Sequence, residues 1–196
     1  MKKLIAANWK MNKTVAEAVS TADELKKLAG KEKNADVVIC PPFTALYAVA
    51  KELKGSNIKL GAQNMYFEDA GAYTGDISPL MLKDIGCEYV IIGHSERREF
   101  FHEDDSLINK KVLAALKHSL KPILCVGETW EQRENNQTKS VLENQLKKGL
   151  HIVSPAQMKN VTIAYEPVWA ISRGNPNQKA ATPQDAEEGH EFIRNV

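Results

Sequence analysis

Short apolar runs alternate along this chain with longer stretches in which apolar residues return every three or four positions. The runs cover residues 4–9, 35–40, 58–63, 89–93, 122–127 and 161–166. They are continuous rather than alternating, which predicts strands covered on both faces. The periodic stretches predict helices over 14–30, 44–55, 79–84, 105–119, 130–150 and 183–196. Thr14, with Glu17 three residues on, is a start signal for the first helix, and Gly30 is its stop. Strict strand–helix alternation requires crossover connections, hence parallel strands in an α/β fold. The period alone fits both an open doubly wound sheet and a closed barrel. No linker or low-complexity stretch divides the chain, so a single domain over residues 1–196 is expected.

Composition then narrows the partners. Lys and Arg number 26 against 25 Asp and Glu, a net charge of +1, so the charge balance points to neither nucleic acid nor a membrane surface. Cys40, Cys87 and Cys125 form no Cys-x-x-Cys pair. An odd count without that spacing argues against a disulfide framework or a zinc site, and for a reducing, cytoplasmic location. The apolar start at Leu4–Ala7 is too short for a signal sequence, and nothing approaches the ~20 apolar residues of a membrane span.

Candidate chemistry sits where the strands end. Asn8 and Lys10 follow the first run, His94 and Glu96 the fourth, Glu128 the fifth, and Glu166 closes the sixth. In a parallel sheet all these ends lie on one edge, where α/β folds carry their sites. Each residue alone has a plainer reading. Lys10 could be a solvated turn residue, His94 a structural imidazole and Glu166 a surface carboxylate. Pro167, however, holds Glu166 extended, so a strand end rather than a helix places it. Nucleotide loops, zinc-binding helices and serine-hydrolase elbows have no match, and His94-Ser95-Glu96 supplies only half of a zinc deaminase signature. A lysine, a histidine and a glutamate with no metal or cofactor motif suit proton transfer beside a carbonyl.

Several stretches together resemble the triosephosphate isomerase family: "AANWKMN" (6–12), "CPPFTAL" (40–46), "GAQNMY" (61–66), "GAYTGDISPLMLKDIGCEYVIIGHSERR" (71–98), "LCVGE" (124–128) and "YEPVWAI" (165–171). The likeness spans essentially the whole chain, in family order. It implies a TIM (β/α)8 barrel, of which this chain supplies about the first six βα units. It also implies a cofactor-free, metal-free isomerase that interconverts dihydroxyacetone phosphate and glyceraldehyde 3-phosphate through an enediolate, in glycolysis and gluconeogenesis. Glu166 would be the base, and Lys10 would steady the developing oxyanion. His94 would be the electrophile, an imidazole kept neutral by a helix N-terminus being a known feature of this family rather than one read from spacing here. Asn8, Lys10 and Ser172 would hold the substrate. Glu96 would hold the Lys10 ammonium, and Cys125 would pack behind the base. The long loop after the third strand would reach a second subunit to form a homodimer, with Met65, Tyr73 and Thr74 at the interface.

Two departures from the family pattern stand out. Ser172 occupies a position where a glycine is expected, in a longer segment, "SRGNPNQKA" (172–180). A glycine-only conformation there would cost a serine roughly 1 kcal/mol or more. The chain also stops after its sixth unit, where a full barrel runs to eight units and typically ~250 residues. The expectation is an incomplete record of a competent isomerase, with this chain alone nearly inactive for want of its phosphate-binding units. The alternative is a catalytically silent βα-barrel remnant kept for assembly.

Overall fold

A computed structural model describes residues 2–172 and 179–196. They pack as two compact units: residues 2–92 with 113–122, and residues 93–112 with 123–172 and 179–196.

The first unit opens with β1 (Lys3–Asn8), α1 (Val15–Ala29), β2 (Ala35–Cys40), α2 (Phe43–Glu52), β3 (Lys59–Ala62), α3 (Pro79–Asp84) and β4 (Tyr89–Ile92). These strands pair in parallel and in sequence order, with Asn8 level with Cys40 and Ala62 level with Val90. Thr14 starts α1 as expected: its amide and hydroxyl both donate to the Glu17 carboxylate, at 2.7 and 2.8 Å. Ser78 accepts from the Met81 amide, and Pro79 fills the first helical position of α3, where its missing N–H is no loss. Val38, Ile39, Leu46, Val49, Leu60, Leu82 and Val90 build the interior of this unit.

The second unit begins with α4 (Ser95–Phe100) and shares α5 (Asp105–Lys117) and β5 (Lys121–Val126) with the first. Then follow α6 (Trp130–Glu134), α7 (Thr138–Gly149), α8 (Pro155–Met158), β6 (Thr162–Tyr165), a single 3-10 turn (Val168–Ala170) and α9 (Pro183–Asn195). β5 and β6 pair in parallel with Val126 level with Tyr165. Ile108, Val112, Leu124, Leu142 and Leu146 form its interior. Glu103 is buried between α4 and α5, where its Oε1 accepts from Arg97 Nε at 2.5 Å and Lys111 Nζ at 2.6 Å. Such a buried carboxylate is tolerable only with its counter-charges in contact.

Two expectations need correction. The helix expected over 130–150 is two helices, because Asn136 takes a left-handed φ of +55° between α6 and α7. The outer strands are not covered on both faces: along β1, Ile5 is 57% exposed, and every residue of β6 is partly exposed. β1 pairs with β2 and β6 with β5, so among the described residues each has a neighbour on one side alone.

Candidate active site

Asn8 and Lys10 lie in the first unit. The Asn8 side-chain oxygen accepts the Lys10 amide at 3.0 Å, and Lys10 itself sits at φ +52°. A non-glycine residue in that region is strained and persists only where its surroundings hold it. What holds it comes from β2 and β3. Trp9 donates its amide to the Cys40 carbonyl at 3.2 Å. Gln63, directly after β3, donates its side-chain amide to the carbonyls of Lys10 at 2.9 Å and Cys40 at 2.8 Å.

The loop that continues from Gln63 is well packed. Tyr66 stacks on Phe67 and on Tyr73, with ring centroids 4.4 and 4.5 Å apart. Asp69 ties the loop to the end of α5 through His118 Nε2 at 2.6 Å and Lys117 Nζ at 3.1 Å. Tyr73 and Thr74 are exposed at its tip. Met65, expected at the interface, is 0% exposed within its own chain, part of the buried interior rather than of the surface.

His94 and Glu96 lie in the second unit. Gly93 turns the chain at φ +72°, a conformation that suits glycine, and His94 then caps α4. His94 Nδ1 accepts the Glu96 amide at 3.2 Å. In the neutral ring this leaves the proton on Nε2, which is then a donor. Arg98 locks this corner. It donates from Nε to the Gly93 carbonyl at 2.9 Å, pairs with Asp105 at 2.6 Å, and reaches the Cys125 carbonyl at 3.3 Å.

Cys125, Glu166 and Ser172 complete the second unit's share. Glu166 follows β6 at once, and its amide donates to the Val126 carbonyl at 3.0 Å. Val168 N–H donates to the Glu128 carbonyl at the same distance. Gly127 lies between these two bonds, so close to the Glu166 carbonyl that no side chain fits there. The Cys125 thiol is pushed up to about 12, by burial first and then by the nearby Glu166 charge, with Arg98 opposing. Ser172 is exposed just after Ile171. Residues 173–178 of the expected lid lie outside the described residues.

Glu128 went without a role in the sequence, yet it is 0% exposed and accepts from Trp169 Nε1 at 2.7 Å and the Tyr165 hydroxyl at 3.1 Å. Burial and then the Glu128 charge push the Tyr165 phenol well above its ordinary value. Ser95, Gly127, Trp130, Val168, Trp169 and Ile171 line part of a cleft of about 980 Å³ in this unit. Ser95 Oγ is buried with no hydrogen-bond partner among the described residues. The missed residues Gln63, Arg98 and Glu128 all stand inside the resembling motifs, and that position is the signal that could have singled them out. No helix among the described residues is long and apolar enough to cross a membrane.

The family model for triosephosphate isomerase matches residues 3–196. A triosephosphate isomerase of Clostridium botulinum (strain ATCC 19397 / Type A) is 55% identical over 193 residues, which is 98% of this chain and 76% of that protein. One of Endomicrobium trichonymphae is 53% identical over 195 residues, covering 100% of this chain and 76% of that protein. Among solved structures, the crystal structure of triosephosphate isomerase from Bartonella henselae superposes with a TM-score of 0.85 at 42% identity, covering 100% of this chain and 75% of that one. The fold is therefore α/β, of the TIM-barrel type. The parallel strands, the polar residues at their C-terminal ends and these likenesses agree, and the chain belongs to the triosephosphate isomerase family.

Proposed function

We propose that Glu166, His94 and Lys10 divide the work of the triosephosphate isomerase reaction, a 1,2-proton shift needing no cofactor. Glu166 takes a proton from C1 of dihydroxyacetone phosphate. The electron pair released forms the C1–C2 double bond of the enediolate, and negative charge gathers on the C2 oxygen. His94 donates a hydrogen bond from Nε2–H to that oxygen, and the Lys10 ammonium lies against the same charge. His94 gives its Nε2 proton to the C2 oxygen and takes the C1 hydroxyl proton in its place; Glu166 then returns its own proton to C2, the enediolate electron pair forms that C2–H bond, and the C1–O bond becomes the aldehyde of glyceraldehyde 3-phosphate. Convergence of Lys10 on His94 and Glu166 around one substrate is part of this proposal. Asn8 steadies Lys10 by holding its amide. Ser172 offers a backbone N–H to the substrate phosphate, and Glu96 a carboxylate to the Lys10 ammonium.

One observation carries the reading: the Glu96 amide donates to His94 Nδ1 at the start of α4, so in the neutral imidazole the other ring nitrogen, Nε2, carries the proton and is a donor. A neutral donor suits a developing enediolate oxygen, to which it lends a hydrogen bond. The exposed Tyr73 and Thr74 support the homodimer reading, in which their loop braces the partner's Asn8 and Lys10. Free thiols at Cys40, Cys87 and Cys125 support a cytoplasmic location.

A coupled assay of triose phosphate isomerisation with Glu166→Asp tests the base. Withdrawing the carboxylate by about 1 Å should lower kcat about 100-fold with a smaller change in KM. Full turnover by Glu166→Asp would remove Glu166 from the role.

A further inference from the structure

The backbone that carries Glu166 is held from behind by a cluster that the reaction itself does not use. Glu128 at its centre is 0% exposed. Its hydrogen bonds from the Trp169 indole at 2.7 Å and the Tyr165 phenol at 3.1 Å bring no charge. A buried carboxylate needs a cation as well. Arg133, on α6, has Nη1 3.7 Å from Glu128 Oε1, and its guanidinium lies over the Trp169 ring at 4.5 Å. Its other edge, Nη2, is hydrogen-bonded to Asp185. Asp185 in turn starts α9, accepting the Thr182 amide at 2.8 Å and the Thr182 hydroxyl at 2.7 Å. Trp130 closes the cluster edge-on against Trp169, with centroids 5.9 Å apart.

We propose that Arg133 is a positioning residue for the isomerisation: one guanidinium couples the start of α9 to the Trp169–Glu128 pair, and so fixes the backbone on which Glu166 stands. The inference rests on Glu166 being the base. Trp169 stands three residues beyond Glu166, and the intervening Val168 amide is bonded to the Glu128 carbonyl. A shift of Glu128 or Trp169 therefore reaches Glu166 through one turn of backbone. The planar fork of arginine can face a carboxylate, stack on an aromatic ring and bond a second carboxylate at once, which the point charge of a lysine cannot. Arg133 also links the two stems of the segment between Ile171 and Thr182, one through Trp169 and the other through Asp185.

The test compares Arg133→Met, Arg133→Lys and Asp185→Asn with the parent protein. Amide hydrogen exchange is read by NMR at Glu166 and Val168, and at Leu124 and Ile163 in the neighbouring strands, alongside kcat and KM for glyceraldehyde 3-phosphate. Arg133→Met should speed exchange at Glu166 and Val168 roughly tenfold or more, leaving Leu124 and Ile163 protected. It should lower kcat roughly 10- to 100-fold with little change in KM. Arg133→Lys should recover part of both effects, and Asp185→Asn should move both in the same direction by less. If Arg133→Met does not fold, the lysine and asparagine variants decide. Unchanged exchange at Glu166 and Val168, or equal acceleration at all four amides with kcat per folded molecule intact, would overturn the proposal. If Glu166→Asp keeps full turnover, the catalytic half of the proposal falls with the base itself. If Glu166→Asp is impaired while the Arg133 and Asp185 variants match the parent, the Arg133 proposal alone is lost.

Discussion

The side-chain amide of Gln63 donates to the main-chain carbonyl of Lys10 at 2.9 Å, across 53 residues of sequence. It holds in place a lysine whose φ of +52° costs roughly 1–2 kcal/mol against an ordinary conformation. The same amide group also serves the Cys40 carbonyl, so strain at the site is opposed by two bonds from one side chain. Gln63→Leu removes both: the Cys40 carbonyl keeps its bond from the Trp9 amide, and the Lys10 carbonyl loses this tether. A loss of about 1–3 kcal/mol of stability is expected in denaturant titration, together with a fall in kcat larger than any rise in KM. A variant as stable and as fast as the parent would show that Lys10 holds its own conformation.

Gly127 answers to the Glu166 carbonyl. A methyl group at 127 would collide with that carbonyl, which is backbone and cannot rotate away. Gly127→Ala should therefore push Glu166 out of place and lower kcat about 100-fold, since a displacement near 1 Å has that cost. Steady-state kinetics against the parent is the check. Parental turnover would mean that the two strand ends can part without consequence.

The thiols should be quiet. Burial holds Cys87 and Cys125 up at about 12, against an ordinary 9.0, so hardly any thiolate exists near neutral pH. A disulfide reagent should react slowly at both in the native protein, and fast at all three cysteines in denaturant. For an acid whose folded pKa is raised, the stabilising contribution is whole below the unfolded value. It is lost as pH climbs from about 9 towards 12, and the unfolding midpoint should fall over that window.

At the other end of the scale stands Asp69. Hydrogen bonds from Lys117 and then His118 hold its carboxyl below the ordinary 3.8. A depressed folded pKa gives stability that is present above 3.8 and drains away as pH falls through the lower, folded value. Acid should therefore loosen the loop after β3 before the strands, seen as faster amide exchange near Asp69. Asp69→Asn should show that looser loop at neutral pH and no further change on acidification. Identical pH profiles for both proteins would exclude this tether.

Thr74 tests the dimer. It lies exposed near the tip of that same loop. Thr74→Arg places a charge where a subunit interface is proposed, and burying an unpaired charge there is costly. Sedimentation should show a monomer, with turnover down about 100-fold as the loop carrying Asn8 and Lys10 loses its brace. A dimer that persists in the variant would place the interface elsewhere.

Much of this molecule is legible residue by residue. Continuous apolar runs such as Val37–Ile39 and Tyr89–Ile92 can only be strands buried in an α/β core, and Thr14–Glu17, Ser78–Pro79 and Thr182–Asp185 mark where helices begin. These signals are local, and so is the rule that a parallel strand delivers its next polar residue to the C-terminal edge. That rule sets Lys10, His94 and Glu166 just after the ends of β1, β4 and β6. Tertiary structure decided the rest. It buried Met65, broke 130–150 at Asn136, set Gln63 under Lys10, and joined Trp169 to Glu128 across 41 residues. The reason is physical: periodicity and capping reflect energies between residues a turn apart, whereas these contacts depend on which elements come to lie side by side.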